Sequence, residues 1–379
     1  MKLSDVVNRI NGNVDRYTTD LLYYIGGEHF ESNELEITNK AIIKDNLGIL
    51  GFKFHFAFQD RDVIFMARNP HLRKAGMVRF SGLCSDASYI LRSKDENKLT
   101  QEYLAIQLQS DHFWDYCESH KVGSVNFANN WSSIANYEFD LPTIDKQREI
   151  ADKVWAAYEV KKAYRSMIKA TDEMVKSQFI EMFGDQNINS RQWPEGLVKD
   201  EFKLSMGKTP ARNNPACWED GTNKWISISD MASYTRYTGD TNECITDFAI
   251  EDSGIKAVPK GTIIMSFKLS IGRTAITSED IYTNEAIMAF ADFDKKKFNI
   301  DFLHFLIANK NWLLGAKQAV KGQTLNKESI GNAKIIIPPL AIQEEFARIY
   351  NQADKSKFEL KKAIEAIDKV IKSLINENL

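Results

Sequence analysis

LPTIDKQREIADKVWAAYEVKKAYRSMIKATDEMVKSQ, residues 141–178, returns near the C-terminus as IPPLAIQEEFARIYNQADKSKFELKKAIEAIDKVIKSL, residues 337–374. Eleven of the 38 aligned positions are identical at a constant offset of 196, with no gap. Average residue usage gives about two such matches by chance. The offset is far longer than a solenoid repeat, whose units run about 20–45 residues. A large unit is therefore written twice, each copy a globule followed by a long helix.

The repeated segments carry a stripe at heptad spacing, 4 and 3 residues in alternation. In the first copy it runs Ile150, Val154, Ala157, Lys161, Tyr164, Ile168, Thr171, Val175, Gln178. In the second it runs Phe346, Tyr350, Ala353, Lys357, Leu360, Ile364, Ile367, Ile371, Leu374. Such a stripe is a coiled-coil seam. A helix of roughly 40 residues is about 60 Å long. One seam on each of two similar helices suggests that they pair antiparallel; the alternative is a helix of another subunit. Lys161 and Lys357 fall at the same step of the two seams. A polar seam residue can fix register; the plainer reading is that both lysines snorkel out.

The 379 residues have room for two or three domains with real cores. We expect an α+β protein: a first globule over 1–140, a central helix over 141–185, a second globule over 186–336 and a C-terminal helix over 337–379. The globules share a plan. IFMA at Ile64 and GTIIMSF at Gly261 read as buried strands, and TQEYLAIQLQ at Thr100 and IDFLHFLIANK at Ile300 read as helices. Pro142 and Pro338–Pro339 stop any upstream helix from running into the long ones. No apolar run approaches a membrane span, and MKLSDVVNRING lacks a signal-peptide core. Cys84, Cys117, Cys217 and Cys244 form no CxxC pair, which suits a reducing cytoplasm and argues against a zinc site.

Catalytic signatures fail on inspection. Met206-Gly207-Lys208-Thr209 ends like a phosphate-binding loop, but Phe202 stands where that loop needs glycine. There is no G-x-S-x-G elbow, no G-x-G-x-x-G and no Asn-Pro-Pro-aromatic methyltransferase signature. The six histidines are scattered. We expect no catalytic residue and no metal ligand in this chain.

The positive signal is basic. Net charge is −3, yet no acid stands between Asp62 and Asp86, where Arg68, Arg73, Lys74 and Arg79 occur. A matching window between Asp252 and Glu279 holds Lys256, Lys260, Lys268 and Arg273. A third, from Phe302 to Lys327, holds Lys321, with Gln323 beside it. Arg and Lys hold phosphates, and Arg, Asn and Gln read base edges. One acid-free window is ordinary loop variation; two at matching places favour DNA.

These residues resemble the specificity subunits of Type I restriction–modification systems over nearly the whole chain. DLPTIDKQREIADKV from Asp140 and IIIPPLAIQEEFARI from Ile335 resemble the family's Pro-x-x-x-x-Gln start of each spacer helix, with Gln147 and Gln343 in the key place. MGKTPARNNPACWEDGTNKWISISDM from Met206, IMSFKLSIGRTAIT from Ile264, TNEAI from Thr283 and GQTLNKESI from Gly322 continue the pattern. The resemblance adds Lys208, Thr209, Arg212 and Thr324 to the DNA-binding candidates. It assigns helix pairing or partner binding to Gln147, Ile150, Val154, Lys161, Tyr164, Ile168, Gln343, Phe346, Tyr350, Lys357, Leu360, Ile364 and Ile371. The first globule lacks the Gly-x-Thr-Pro segment, and its Gly26-Gly27-Glu28-His29 turn suggests a different recognition subfamily. The family implies a cytoplasmic, non-catalytic subunit that binds a split site on double-stranded DNA and recruits two modification (methyltransferase) subunits, which restriction/translocase subunits join. S-adenosylmethionine would then sit on the modification subunit, and ATP and Mg on the restriction subunit. The competing readings are a stand-alone methyltransferase or nuclease, and a coiled-coil adaptor without a nucleic-acid role.

Overall fold

The computed structural model describes residues 1–268, 270–314, 318–319, 322–323 and 325–378. The chain forms two compact units, Met1–Met167 with Glu359–Leu379, and Ile168–Phe358. Both are mixed α+β, and each takes in part of both long helices.

In the first unit the central sheet has the order Val7–Ile10, Ser88–Ser93, Val63–Met66, Ala75–Val78, Glu36–Ile37. The first four strands pair antiparallel, and the last joins parallel. In the second unit Lys203–Met206, Ile287–Ala291, Ile263–Ser266 and Thr274–Ile276 repeat that antiparallel order. Each unit adds a smaller sheet with one parallel pair: Tyr23–Ile25 with Gly82–Ser85, and Asn223–Ile226 with Tyr282–Thr283. The strands read as IFMA and GTIIMSF are the middle strands of these sheets, buried along their whole length. Continuous burial on both faces is why they show an unbroken apolar run and no alternation.

The two expected short helices are Gln101–Gln107 and Ile300–Ala308. Thr100 Oγ1 caps the first by accepting from the Tyr103 N–H, and the Asn299 side chain caps the second from Asp301 and Phe302. The long helices are Ile144–Phe183 and Leu340–Asn376, each opening just after its proline.

Gln147 and Gln343 are fully buried, and they fasten each long helix to its own unit. Gln147 Oε1 accepts the Thr100 N–H at 3.0 Å, and its Nε2 donates to the Lys98 and Pro142 carbonyls at 2.7 and 2.9 Å. Gln343 does the same with the Asn299 N–H at 3.0 Å and the Lys297 and Pro338 carbonyls at 3.0 and 2.7 Å. Only a primary amide offers an acceptor and two donors at that reach. Among the described residues the hydrogen bonds of both glutamines go to backbone groups of their own unit, which anchors each long helix where it starts.

Every seam position on both helices is buried or half-buried. Ile150, Val154 and Ile371 lie in the core of the first unit, and Phe346 and Tyr350 in that of the second; Tyr164, Ile168, Leu360 and Ile364 are half-buried. The heptad reading misses Tyr158, Phe179, Phe183 and Ile375, which are also buried. Each helix packs against its own sheet as well as the other helix, so its apolar arc is wider than a two-stranded seam.

The seam lysines do not snorkel. Lys161 is 3% exposed, with its Nζ 2.7 Å from Glu34 and 2.6 Å from Asp368 on the second long helix. Lys357 lies 2.7 Å from Asp172 on the first long helix. Asp172 and Asp368 are themselves 196 residues apart, so the two ion pairs are copies of one contact.

The buried ion pairs between globule and helix differ in polarity between the units. In the first, the globule supplies the acid: Glu34 takes Lys161, Arg165 and the Tyr158 hydroxyl, all from the helix. Burial pushes the Glu34 carboxyl up, but hydrogen bonds and charge from Lys161 and Arg165 outweigh it and hold the group below the usual glutamate range. In the second, the globule supplies the base: Arg236, 5% exposed, reaches Asp354 on the helix at 2.6 Å.

Candidate nucleic-acid interface

In both units the turn that leaves the buried strand read as IFMA or GTIIMSF for its next antiparallel partner carries cations. Ile263–Ser266 and Thr274–Ile276 pair antiparallel, and the turn joining them holds Lys268 and Arg273, both exposed. Gly272 has φ +88°, a left-handed backbone that glycine adopts freely. The Arg273 N–H donates to Ser266 Oγ at 3.2 Å, which fixes the end of the turn. In the first unit the matching turn, after Val63–Met66, carries Arg68, Arg73 and Lys74.

Space changes the value of the first basic window, because it is acid-free only along the chain. Arg73 pairs with Asp111, Arg79 with Glu36 at 3.1 Å, and Lys74 Nζ donates to the Gly27 carbonyl at 2.7 Å. Arg68 is exposed, and among the described residues its side chain has no ion-pair partner. Of the four cations, Arg68 is the one left to meet an external anion.

The motif segments of the second unit converge. A Cβ on Gly207 would lie 1.8 Å from the Thr283 carbonyl oxygen, so the backbones of the Gly-x-Thr-Pro and TNEAI segments touch where only glycine fits. The Lys208 N–H closes that contact on the Thr283 carbonyl at 2.9 Å. Thr209 Oγ1 donates to Glu285, which that bond, with the charges of Lys268 and Arg212, holds below the usual carboxylate range. Arg212 pairs with Glu243 and stacks on Trp218 and Trp225, at 4.0 and 4.7 Å from the ring centres. Lys208 Nζ donates to the Ser253 carbonyl at 2.8 Å. No helix begins at Thr209, the next helical turn being Pro215–Cys217, which is a second reason that Gly207-Lys208-Thr209 is no phosphate loop.

Sequence reading missed Glu285, Trp218 and Trp225 as single residues, although each lies within a quoted motif segment. Ionised Glu285 accepts hydrogen bonds and can take the amino group of cytosine. Lys321 and Thr324 lie outside the described residues. Gln323 lies in the strand Gly322–Gln323, which pairs with Gln318–Ala319.

Among the described residues no three His, Cys, Asp or Glu side chains gather as metal ligands, and no helix is long and apolar enough to cross a membrane. Cys84, Cys117 and Cys217 are buried free thiols, and burial pushes Cys84 up to about 12.

The exposed cations of these turns have the chemistry to meet phosphate oxygens. Residues 191–368 match the model of a family described as the Type I restriction modification DNA specificity domain. The chain is 25% identical over 203 residues to the Type I restriction enzyme MjaIX specificity subunit of Methanocaldococcus jannaschii, a match covering 52% of this chain and 46% of that one. It is 24% identical over 194 residues to the HindI specificity subunit of Haemophilus influenzae, covering 49% and 41%. The matched segments thus span under half the length of these relatives. In fold, the whole chain is similar to the Type I restriction–modification S subunit of M. genitalium, with TM-score 0.55, 11% identity and 95% of that chain covered. It is also similar to a chain from a structural study of complex assembly and conformational transition in a Type I system, with TM-score 0.52, 17% identity and 97% of that chain covered.

Proposed function

We propose that this chain is the DNA-specificity subunit of a Type I restriction–modification complex. Each unit reads one half of a bipartite duplex site, and the chain recruits two modification subunits, which restriction subunits join. Methyl transfer and cleavage belong to those partners, with S-adenosylmethionine, ATP and Mg bound there. The observation that carries this reading is the repeated strand order with an exposed cationic turn at the same place in each unit. Such turns suit phosphate contacts, and the loops around them suit base readout.

In the same reading 1–140 and 186–336 are the recognition globules, and 141–185 and 337–379 are spacer helices that pair antiparallel as a coiled coil and set the gap between half-sites. The contacts within the second unit support antiparallel pairing: Phe346 meets Phe179 and Phe183, and Lys357 meets Asp172 further along. Exchanging residues 1–140 for the first globule of another specificity subunit tests the division of labour by methylation-site mapping. One half of the site should change and the other persist. A change in both halves would refute independent reading.

A further inference from the structure

We propose that the hairpin 122–128 reads bases of the first half-site, with Arg68 holding a phosphate beside it. The proposal deepens the DNA-reading function above and rests on it. The hairpin closes through paired bridges of Val122 and Arg68 to Ala128, and the Asn69 N–H donates to the Phe127 carbonyl at 2.8 Å. It is therefore fixed to the turn that carries Arg68, the cation its neighbours leave uncommitted.

Its base is held and its tip is bare. Asn129, 1% exposed, donates from its N–H to the Ala67 carbonyl at 2.9 Å and from Nδ2 to the Cys117 carbonyl at 2.7 Å, and its own carbonyl accepts the Tyr89 hydroxyl at 2.8 Å. Ser124 and Asn126 are exposed, and Val125 is 83% exposed. Gly123 has φ +107°, and a Cβ there would lie 2.6 Å from the Asn126 carbonyl oxygen, so the backbone dictates the tip. A bare valine at the tip of a loop whose base is held gains nothing within the fold and suits a binding contact.

Charge names the occupant. No acid occurs between Glu118 and Glu138, and this window meets the acid-free stretch around Arg68 at the Ala128 bridge. Lys121, paired with Glu118 at 2.7 Å, lies over the Phe127 ring. The patch offers a phosphate-binding arginine, an amide that can bond adenine bidentately and methyls that fit the thymine methyl. That set matches duplex DNA.

The doubled plan supplies an independent line. Asn130 opens the helix Trp131–Ala135 directly after this hairpin, and Asn326 opens Lys327–Gly331 directly after the pairing of Gln318–Ala319 with Gly322–Gln323. Asn130 and Asn326 are 196 residues apart, the offset of the long helices. The first hairpin is thus the counterpart of the segment that holds Gln323. It escapes a motif search because Gly123-Ser124-Val125-Asn126 does not spell Gly-Gln-Thr.

The test uses the full chain with its modification subunit, methylation-site mapping, and binding to a randomised duplex library over a salt series. The double variant Val125→Ala/Asn126→Ala should lose roughly tenfold or more of the preference at one or more first-half positions and keep the second half. Arg68→Glu should weaken binding to all sequences and lower the salt slope by about one. Both variants should melt like the parent, since the residues are exposed. If the parent selects no bipartite site, the functional reading falls and this proposal with it. If the parent selects one and the double variant keeps its first half intact, the hairpin does not read bases and the proposal alone is overturned.

Discussion

Replacing Gln147 by alanine strands three backbone groups: the buried Thr100 N–H and the partly buried Lys98 and Pro142 carbonyls. A stranded buried group costs about 1–3 kcal/mol, and some relax toward water. With a small cavity added, the expected loss is about 3–5 kcal/mol. At roughly 2–4 °C per kcal/mol for a cooperative unit of this size, the melting point of the first unit should fall by about 6–20 °C. Gln147→Glu sharpens the test. A carboxylate keeps the acceptor for Thr100 but sets negative charge against two carbonyls, so the folded state favours the protonated acid and raises its pKa. Stability of that variant should therefore recover as pH falls toward the raised value and worsen above it, whereas Gln147→Ala recovers nothing. Calorimetry gives the melting shift, and hydrogen exchange at Thr100 and Asn299 gives its location. Gln343→Ala should reproduce the effect at Asn299, because it strands the same three kinds of group. A Gln147→Ala loss under about 1 kcal/mol, or a Gln147→Glu variant indifferent to pH, would refute the anchoring argument.

The buried His304 is held down to about 4 by burial first and then by the charge of Arg236. A depressed histidine contributes stability above its unfolded value near 6.5 that is lost as pH falls through about 4, so acid melts of the parent should show a second-unit loss of about 3 kcal/mol that His304→Gln lacks. Lys161→Met should cost about 2–4 kcal/mol because it unbalances buried Glu34, whereas Asp368→Asn, at a half-exposed carboxylate, should cost under about 1 kcal/mol; equal losses in denaturant titration would show that Glu34 is not the principal partner. Glu34 is held below the usual glutamate value, so its stabilisation is lost only as pH falls through that lowered value; Lys161→Met should move the loss to higher pH. Charge reversal at Lys268 and Arg273 together should weaken DNA binding and cut the salt slope by roughly two, and an unchanged affinity in a filter-binding salt series would move the phosphate contacts elsewhere.

The repeat was open to sequence reading because it is written in local pattern. Heptad spacing, the prolines and the matching strands IFMA and GTIIMSF depend on neighbours a few residues away, and duplication wrote them twice. The same reasoning singled out Gln147 and Gln343 for helix pairing or partner binding, but not their anchoring bonds, since the partners at Thr100 and Asn299 lie more than 40 residues upstream. Tertiary structure alone decided which charges are free. Arg73 and Arg79 stand in an acid-free stretch of chain, and Asp111 and Glu36 reach them from 38 and 43 residues away. It alone showed that Lys161 and Lys357 are paired to carboxylates on the opposite long helix, and that the polarity of the docking contacts inverts between Glu34 and Arg236. Charge acts through space and is blind to sequence distance, so a one-dimensional window can count cations but cannot say which of them an acid has already claimed.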